Sequence, residues 1–292
     1  NCKSLYSVSV SFNLKQQVPP DIPVHGQFIP SENLKSQEWL DNINKWTKNQ
    51  KMLINGKKTK TMIFNYTDKY QFTTRLQLDD KTVEVIKSTK LLGTIIQDDL
   101  KWEKNTANIV SKANSRMELL RKVASFGTSI GELKDVYILF IRSLLEQSAT
   151  VWHSSLTSEN SGDLERVQKS ALRVILGDKY CGYKNALTIL DLDTLQDRRK
   201  QLCLTFAQKC LKNKKTQQMF PLNFNTHSMN HRNTEKFHVQ HANTDRLKDS
   251  SIIYMQHLLN ENYYYYYKTV NIIIKHTNYV ITSTLIWWCL PT

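Results

Sequence analysis

At Trp102 the hydrophobic pattern of this chain changes period, and that change sets the order of its parts. Before Trp102, apolar residues alternate or come in short runs broken by turn residues. Thr61-Met62-Ile63-Phe64 alternates as a strand does. Leu76-Gln77-Leu78 and Val83-Glu84-Val85-Ile86 flank Asp79-Asp80-Lys81-Thr82, a pattern that predicts a hairpin. Leu91 to Ile96 is a further apolar run, with Gly93 where backbone is expected to approach a neighbour closely. After Trp102 the spacing is helical. Ile109, Ala113, Met117, Leu120 and Ala124 recur at four and three and stop before Gly127. Ser129-Ile130-Gly131-Glu132 reads as a capping box, opening a helix apolar at Leu133, Val136, Tyr137, Phe140, Ile141, Leu144 and Leu145. A third helix near Asp163 to Leu176 places Leu164, Val167, Ala171, Leu172 and Ile175 inside, with Gly177 past its end. A fourth, Thr194 to Lys212, is expected to bury Leu195, Leu202, Phe206 and Cys210 and to expose Arg198-Arg199-Lys200. The fold class that follows is α+β: a small antiparallel sheet, then a mainly α-helical bundle.

The flanks carry less pattern. Residues 1–30 hold four of the six prolines and predict an extended linker. Ser31 opens an amphipathic helix with Leu34, Trp39, Leu40, Ile43 and Trp46 on one side, and tryptophans on such a stripe read as core. Residues 31–102 therefore form a sheet-bearing unit and 103–215 a helical one. Residues 216–262 are Asn- and His-rich and are expected to be loosely ordered, apart from a short amphipathic piece at Ile252 to Leu259. Residues 263–292 open on Tyr263 to Tyr267 and continue through an apolar run interrupted by Lys275, His276 and Asn278. They read as an irregular low-complexity tail, short of the ~20 clean apolar residues that a membrane span needs.

Charge narrows the partner. The net charge is +14 and the isoelectric point near 9.4. Residues 104–215 hold nineteen Lys and Arg against eleven Asp and Glu, so the helical part carries over half the excess. Such a surplus spread along helices favours a polyanion, with nucleic acid ahead of a membrane surface. The candidate phosphate contacts are Lys112, Arg116, Arg121 and Lys122 on the first helix and Arg166, Lys169 and Arg173 on the third. The five cysteines (Cys2, Cys181, Cys203, Cys210, Cys289) include no Cys-x-x-Cys pair, which disfavours a zinc ribbon or a redox motif. Residue 1 is Asn, which suggests an internal start, and no secretory leader is legible. Reduced thiols inside the cell, nuclear or cytoplasmic, are the expectation. His227, His231, His238 and His241 cluster without acidic or thiol ligands among them and read as loop histidines, so no metal site is assigned.

One stretch ties these parts together: Asn55-Gly56-Lys57-Lys58-Thr59, followed by the strands above and by Lys90-Leu91-Leu92-Gly93. In order and spacing it resembles the last third of the polymerase palm of non-LTR retrotransposon reverse transcriptases. There an Asn-x-x-Lys-Thr turn and a later Leu-Gly strand follow the catalytic carboxylates. Val151-Trp152, Leu164 to Ala171 and Asp197-Arg198-Arg199 continue the likeness into the thumb, so that it covers about residues 31–215. The resemblance implies that Asn55, Lys58 and Thr59 approach the incoming nucleotide, with Lys58 able to protonate the leaving pyrophosphate when joined to an active palm. It implies that Lys90, Leu92 and Gly93 grip the primer end. The partners implied are an RNA–DNA or DNA duplex and the element's own RNA.

The family's reaction needs two Mg²⁺ held by carboxylates, in an aromatic-x-Asp-Asp turn that precedes the tryptophan-bearing helix. Asp79-Asp80 and Asp98-Asp99 both come after the Asn-x-x-Lys-Thr turn and read as turn acids. No catalytic residue and no cofactor are assigned to this chain, which is expected to be inactive alone as an RNA-directed DNA polymerase. Two other readings compete. One is a non-catalytic basic module that binds nucleic acid. The other rests on residues 100–176, which also resemble the region catalogued as the N-terminal part of AlkB-type RNA-modifying dioxygenase–methyltransferases. None of the eight histidines is followed two residues later by Asp, as that iron chemistry requires, and no Gly-x-Gly turn serves a methyltransferase.

Overall fold

The computed structural model describes residues 8–10, 33–64, 75–222, 236–242 and 244–262. The chain divides into two compact units, residues 1–111 and 112–292. It is α+β, with small sheets in the first unit and helices in the second.

In the first unit, α1 (Asn33–Asn49) lies against a two-residue hairpin, β3 (Gln77–Leu78) and β4 (Lys81–Thr82). Asp79 and Asp80 are its turn, both at positive φ (46° and 63°), the backbone that two-residue hairpins need. Leu40, Leu76, Leu78 and Val83 bury one another, with Ile54 at their edge. A polar row on α1 completes the contact. The Gln37 amide both donates to the carbonyl of Gln77 and accepts from its N–H, each at 2.9 Å. The outcome for the tryptophans differs from the expected stripe: Trp39 is 41% exposed and Trp46 half-buried, while Leu40 and Thr47 point inward. The side chain of Leu34 lies outside the described residues.

The sheet is several small pieces. β2 (Lys60–Ile63) lies between β1 (Val8–Val10), antiparallel, and β5 (Glu84–Val85), parallel. Val8–Val10 thus belong to a strand where an extended linker was expected; the other residues of 1–30 lie outside those described. β6 (Ser88–Leu91) and β7 (Thr94–Gln97) form a second two-residue hairpin, with Leu92 and Gly93 as its turn. The chain then passes through Leu100 and Trp102, both at positive φ, into α2 (Glu103–Ser125). Trp102 is buried. Gln97 accepts from the N–H of Lys104 and Asn105 accepts from the N–H of Ile95, tying the start of α2 to β7.

In the second unit the Ser129–Glu132 box caps α3 (Ile130–Val136) from both sides. A π-helical turn, Tyr137–Arg142, follows and passes into α4 (Ser143–Leu145). Its wider turn lets residues four apart keep one heading, so Leu133, Tyr137, Ile141 and Leu145 are all buried. Phe140, expected inside, is 48% exposed for the same reason. Ser148, in the left-handed region, breaks the run before α5 (Ala149–Trp152). α6 (Ser158–Leu176) buries the five apolar residues expected of it. α7 (Tyr183–Leu190) leads to α8 (Leu195–Lys212).

Two expectations about this half are overturned. On α8 the buried stripe is Leu195, Arg199, Cys203, Ala207 and Cys210, whereas Phe206 is 45% exposed and Leu202 half-buried. Arg199, expected outside, is completely buried. The described residues of 216–262 are also more ordered than expected. α9 (Lys214–Gln217), α10 (Asp245–Lys248) and α11 (Ser251–Glu261) follow α8, and Leu222 bridges to Phe237. Phe220, Phe237, Met255, Leu258 and Leu259 pack on Cys203, Leu204, Ala207 and Cys210. An apolar stripe of α11 covers α8, which the weak local pattern concealed. Residues 263–292 lie outside the described residues.

Candidate functional site

The Asn55–Thr59 turn is built by its own Asn and Thr. Asn55 Oδ1 accepts from the backbone N–H of Lys57 (3.1 Å) and Lys58 (3.3 Å), an Asx turn. The Asn55 carbonyl accepts from the N–H of Lys58 and Thr59 and from Thr59 Oγ1, each at 3.0 Å. Thr59 is buried and Lys58 exposed. Asn55 and Thr59 therefore shape the loop that presents Lys58. Lys90 and Leu92 also face outward. Gly93 supplies the second positive φ (91°) of the hairpin turn. Leu92 holds the first (48°) while 92% exposed, a conformation that disfavours a leucine.

The Asp pairs are held as turn residues. Asp79 pairs with Lys48 at 2.6 Å and accepts from Asn44 at 2.9 Å. These hydrogen bonds hold its carboxyl below the usual range. Asp99 accepts from the N–H of Lys101. Among the described residues no group of three or more His, Cys, Asp or Glu is placed to hold a metal ion. A carboxylate already committed to a lysine and an asparagine does not fit a two-Mg²⁺ centre. Of the clustered histidines, His227 and His231 lie outside the described residues.

The seven candidate phosphate contacts fall into two groups. On α2, Lys112 and Arg121 stand about 180° apart around the helix axis at 3.6 residues per turn, so they cannot share one duplex face. Arg116 donates to the Phe140 carbonyl, fastening α2 to the π turn. On α6, Arg166, Lys169 and Arg173 fall within about 60° of one another, opposite the buried stripe. Lys169 lies 5.1 Å over the Tyr183 ring and Arg173 5.4 Å over Tyr180, while Arg166 pairs with Asp163. The tyrosines come from the chain after α6, which no helical spacing on α6 itself reveals.

Beside the start of α6 a cleft of about 660 Å³ opens. His153, Ser154, Thr157, Ser161, Gly162, Glu165, Lys169, Tyr183, Thr194 and Tyr254 are among its lining residues. Arg199 stands behind His153 and Ser161. Its Nε donates to His153 Nδ1 (3.3 Å) and its Nη2 to Ser161 Oγ (3.0 Å), with the guanidinium 5.9 Å over the Trp152 ring. His153 is therefore neutral with its proton on Nε2, facing Tyr254 Oη at 3.4 Å. Burial, then the charge of Arg199, lowers its pKa to about 4. Below the cleft, Gln168 accepts from Tyr137 Oη (2.5 Å) and donates to Tyr183 Oη (2.8 Å) and the Asp193 carbonyl (3.0 Å). Tyr183 in turn donates to Glu165, which also accepts from the N–H of Leu195. Burial first, then that carboxylate, raises the Tyr183 pKa. Sequence reasoning passed over this cleft. Its one legible signal is Arg199 at four residues from both Leu195 and Cys203, within an apolar stripe.

Comparison with known protein families, with curated proteins and with solved structures finds no match for this chain.

Proposed function

We propose that this chain is the palm end and thumb-like part of a non-LTR retrotransposon reverse transcriptase, and that it positions a template–primer duplex without catalysing nucleotide addition. The order of the Asn55–Thr59 turn, the Leu92-Gly93 hairpin and the basic helices supports the family reading. The observation that carries duplex binding is the row of Arg166, Lys169 and Arg173 on the face of α6 opposite its buried stripe, Arg166 and Arg173 exposed and Lys169 half-buried, two of them lying over tyrosine rings. A row of cations one or two turns apart along a helix suits the phosphates lining a groove, and reads backbone rather than base. Lys58, Lys90 and Leu92 would touch the nucleotide and primer end, and Lys112, Arg121 and Lys122 would add nonspecific attraction.

Fluorescence anisotropy with an RNA–DNA hybrid and a DNA duplex tests this. Three phosphate contacts give a log–log salt slope of about −2.7 on DNA, at about −0.9 per contact. Replacing Arg166, Lys169 and Arg173 with Ala is expected to remove that part of the slope and weaken all sequences alike. A slope near zero, or binding confined to one sequence, would overturn the reading.

A further inference from the structure

We propose that the cleft beside Ser161 is an anion site that receives a phosphoryl group, with Arg199 as the fixed charge behind its wall. This deepens the duplex reading and rests on it only for the source of the phosphate.

Arg199 is the reason to look for an anion. It is fully buried, and among the described residues Glu165 and Glu146 act on it only through space, without a direct ion pair. Its Nε and Nη2 meet neutral acceptors, His153 and Ser161, and its Nη1 is buried with no acceptor among the described residues. A buried charge normally has a counter-ion, because desolvation is otherwise uncompensated. Both side chains that the guanidinium holds line the cleft, so an anion there would sit one side chain from it. A second orphan lies in the wall itself: Ser154 Oγ is buried without a partner among the described residues.

The surroundings point the same way. α6 and α8 both begin at this cleft, and their N-caps, Thr157 and Thr194, are among its walls. Each helix start adds partial positive charge toward an anion. Lys169 reaches the rim from α6. The one carboxylate in the wall, Glu165, is occupied by Tyr183 Oη and the N–H of Leu195. A phosphoryl group, with several oxygens to satisfy, matches this many donors, and about 660 Å³ leaves room for an attached nucleoside. The class is a phosphomonoester, either a free nucleotide or the 5′-phosphate of a strand end.

The test is titration calorimetry on the whole chain with inorganic phosphate, a nucleoside 5′-monophosphate and the parent nucleoside. The two phosphate-bearing compounds are expected to bind and the nucleoside not. The diagnostic variant is Gly162→Asp, because a Cβ at Gly162 meets nothing within 4 Å and the new carboxylate would stand in the cleft. It is expected to weaken phosphate binding about tenfold or more, roughly 1.4 kcal/mol, with circular dichroism and melting unchanged. A DNA duplex with a 5′-phosphate bound more tightly than its 5′-hydroxyl twin assigns the site to strand ends. Equal affinity of the two, with mononucleotide binding retained, assigns it to free nucleotides. Arg166→Ala with Arg173→Ala is expected to spare mononucleotide binding, so the duplex reading and this one fail separately. No phosphate-dependent binding, or none lost in Gly162→Asp, overturns the proposal.

Discussion

At the scale of single residues, the chain places a histidine where it is not easily charged, beside an arginine whose charge is buried. His153 has a pKa near 4 in the folded chain, first from burial and then from Arg199, against about 6.5 when unfolded. Between those values the unfolded chain binds a proton that the folded chain refuses. The stability this represents is full above about pH 6.5 and is lost as the pH falls toward 4. Because His153 is partly exposed, a loss of about 1–2 kcal/mol between pH 7.5 and 5 is expected, less than the undiscounted shift implies. Urea unfolding at both pH values, for the natural chain and for His153→Gln, checks it. Equal losses in the two chains would mean that His153 titrates normally. Leu92 shows a different tension, since Asn would suit its positive φ better and Leu persists at an exposed hairpin tip.

At the scale of elements, the second unit is held by partners distant in sequence. Glu146, at the end of α4, takes both Nε and Nη2 of Arg198 on α8, at 3.1 and 3.3 Å. Ser251, at the start of α11, donates to the carbonyl of Val151 in α5. α11 covers α8 through Met255, Leu258 and Leu259. Leu258→Ala should therefore cost about 2–4 kcal/mol, as removal of a fully buried leucine does. Thermal or urea unfolding measures it. A change below about 0.5 kcal/mol, the range of surface substitutions, would show that α11 does not belong to the core.

At the scale of the whole molecule, charge and chemistry are separable. A surplus of +14 attracts any polyanion, whereas nucleotide transfer needs carboxylates that hold two metals. Primer extension by this chain at any Mg²⁺ concentration is expected to give no product. Incorporation that disappears when Asp79 and Asp80 become Asn would refute the assignment of those residues to a turn. Within the described residues no helix is long and apolar enough to cross a membrane.

The sequence by itself determined the local elements. The change of period at Trp102, the Ser129–Glu132 cap, the apolar stripe of α6 and the Asp79-Asp80 turn each depend on residues a few positions apart, and each was legible for that reason. Lys58, Arg166 and Arg173 were also legible as exposed charges, because helical spacing and turn chemistry decide exposure locally. What only the tertiary structure decided is pairing across the chain. A π turn moved Phe140 outward, α11 closed over α8, and Arg199 became a buried charge between His153 and Ser161. Nothing local to Arg198-Arg199-Lys200 distinguishes the middle residue except its register with Leu195 and Cys203. That register acquires meaning only when α5, α6 and α11 close around it and remove the water that would otherwise solvate the guanidinium.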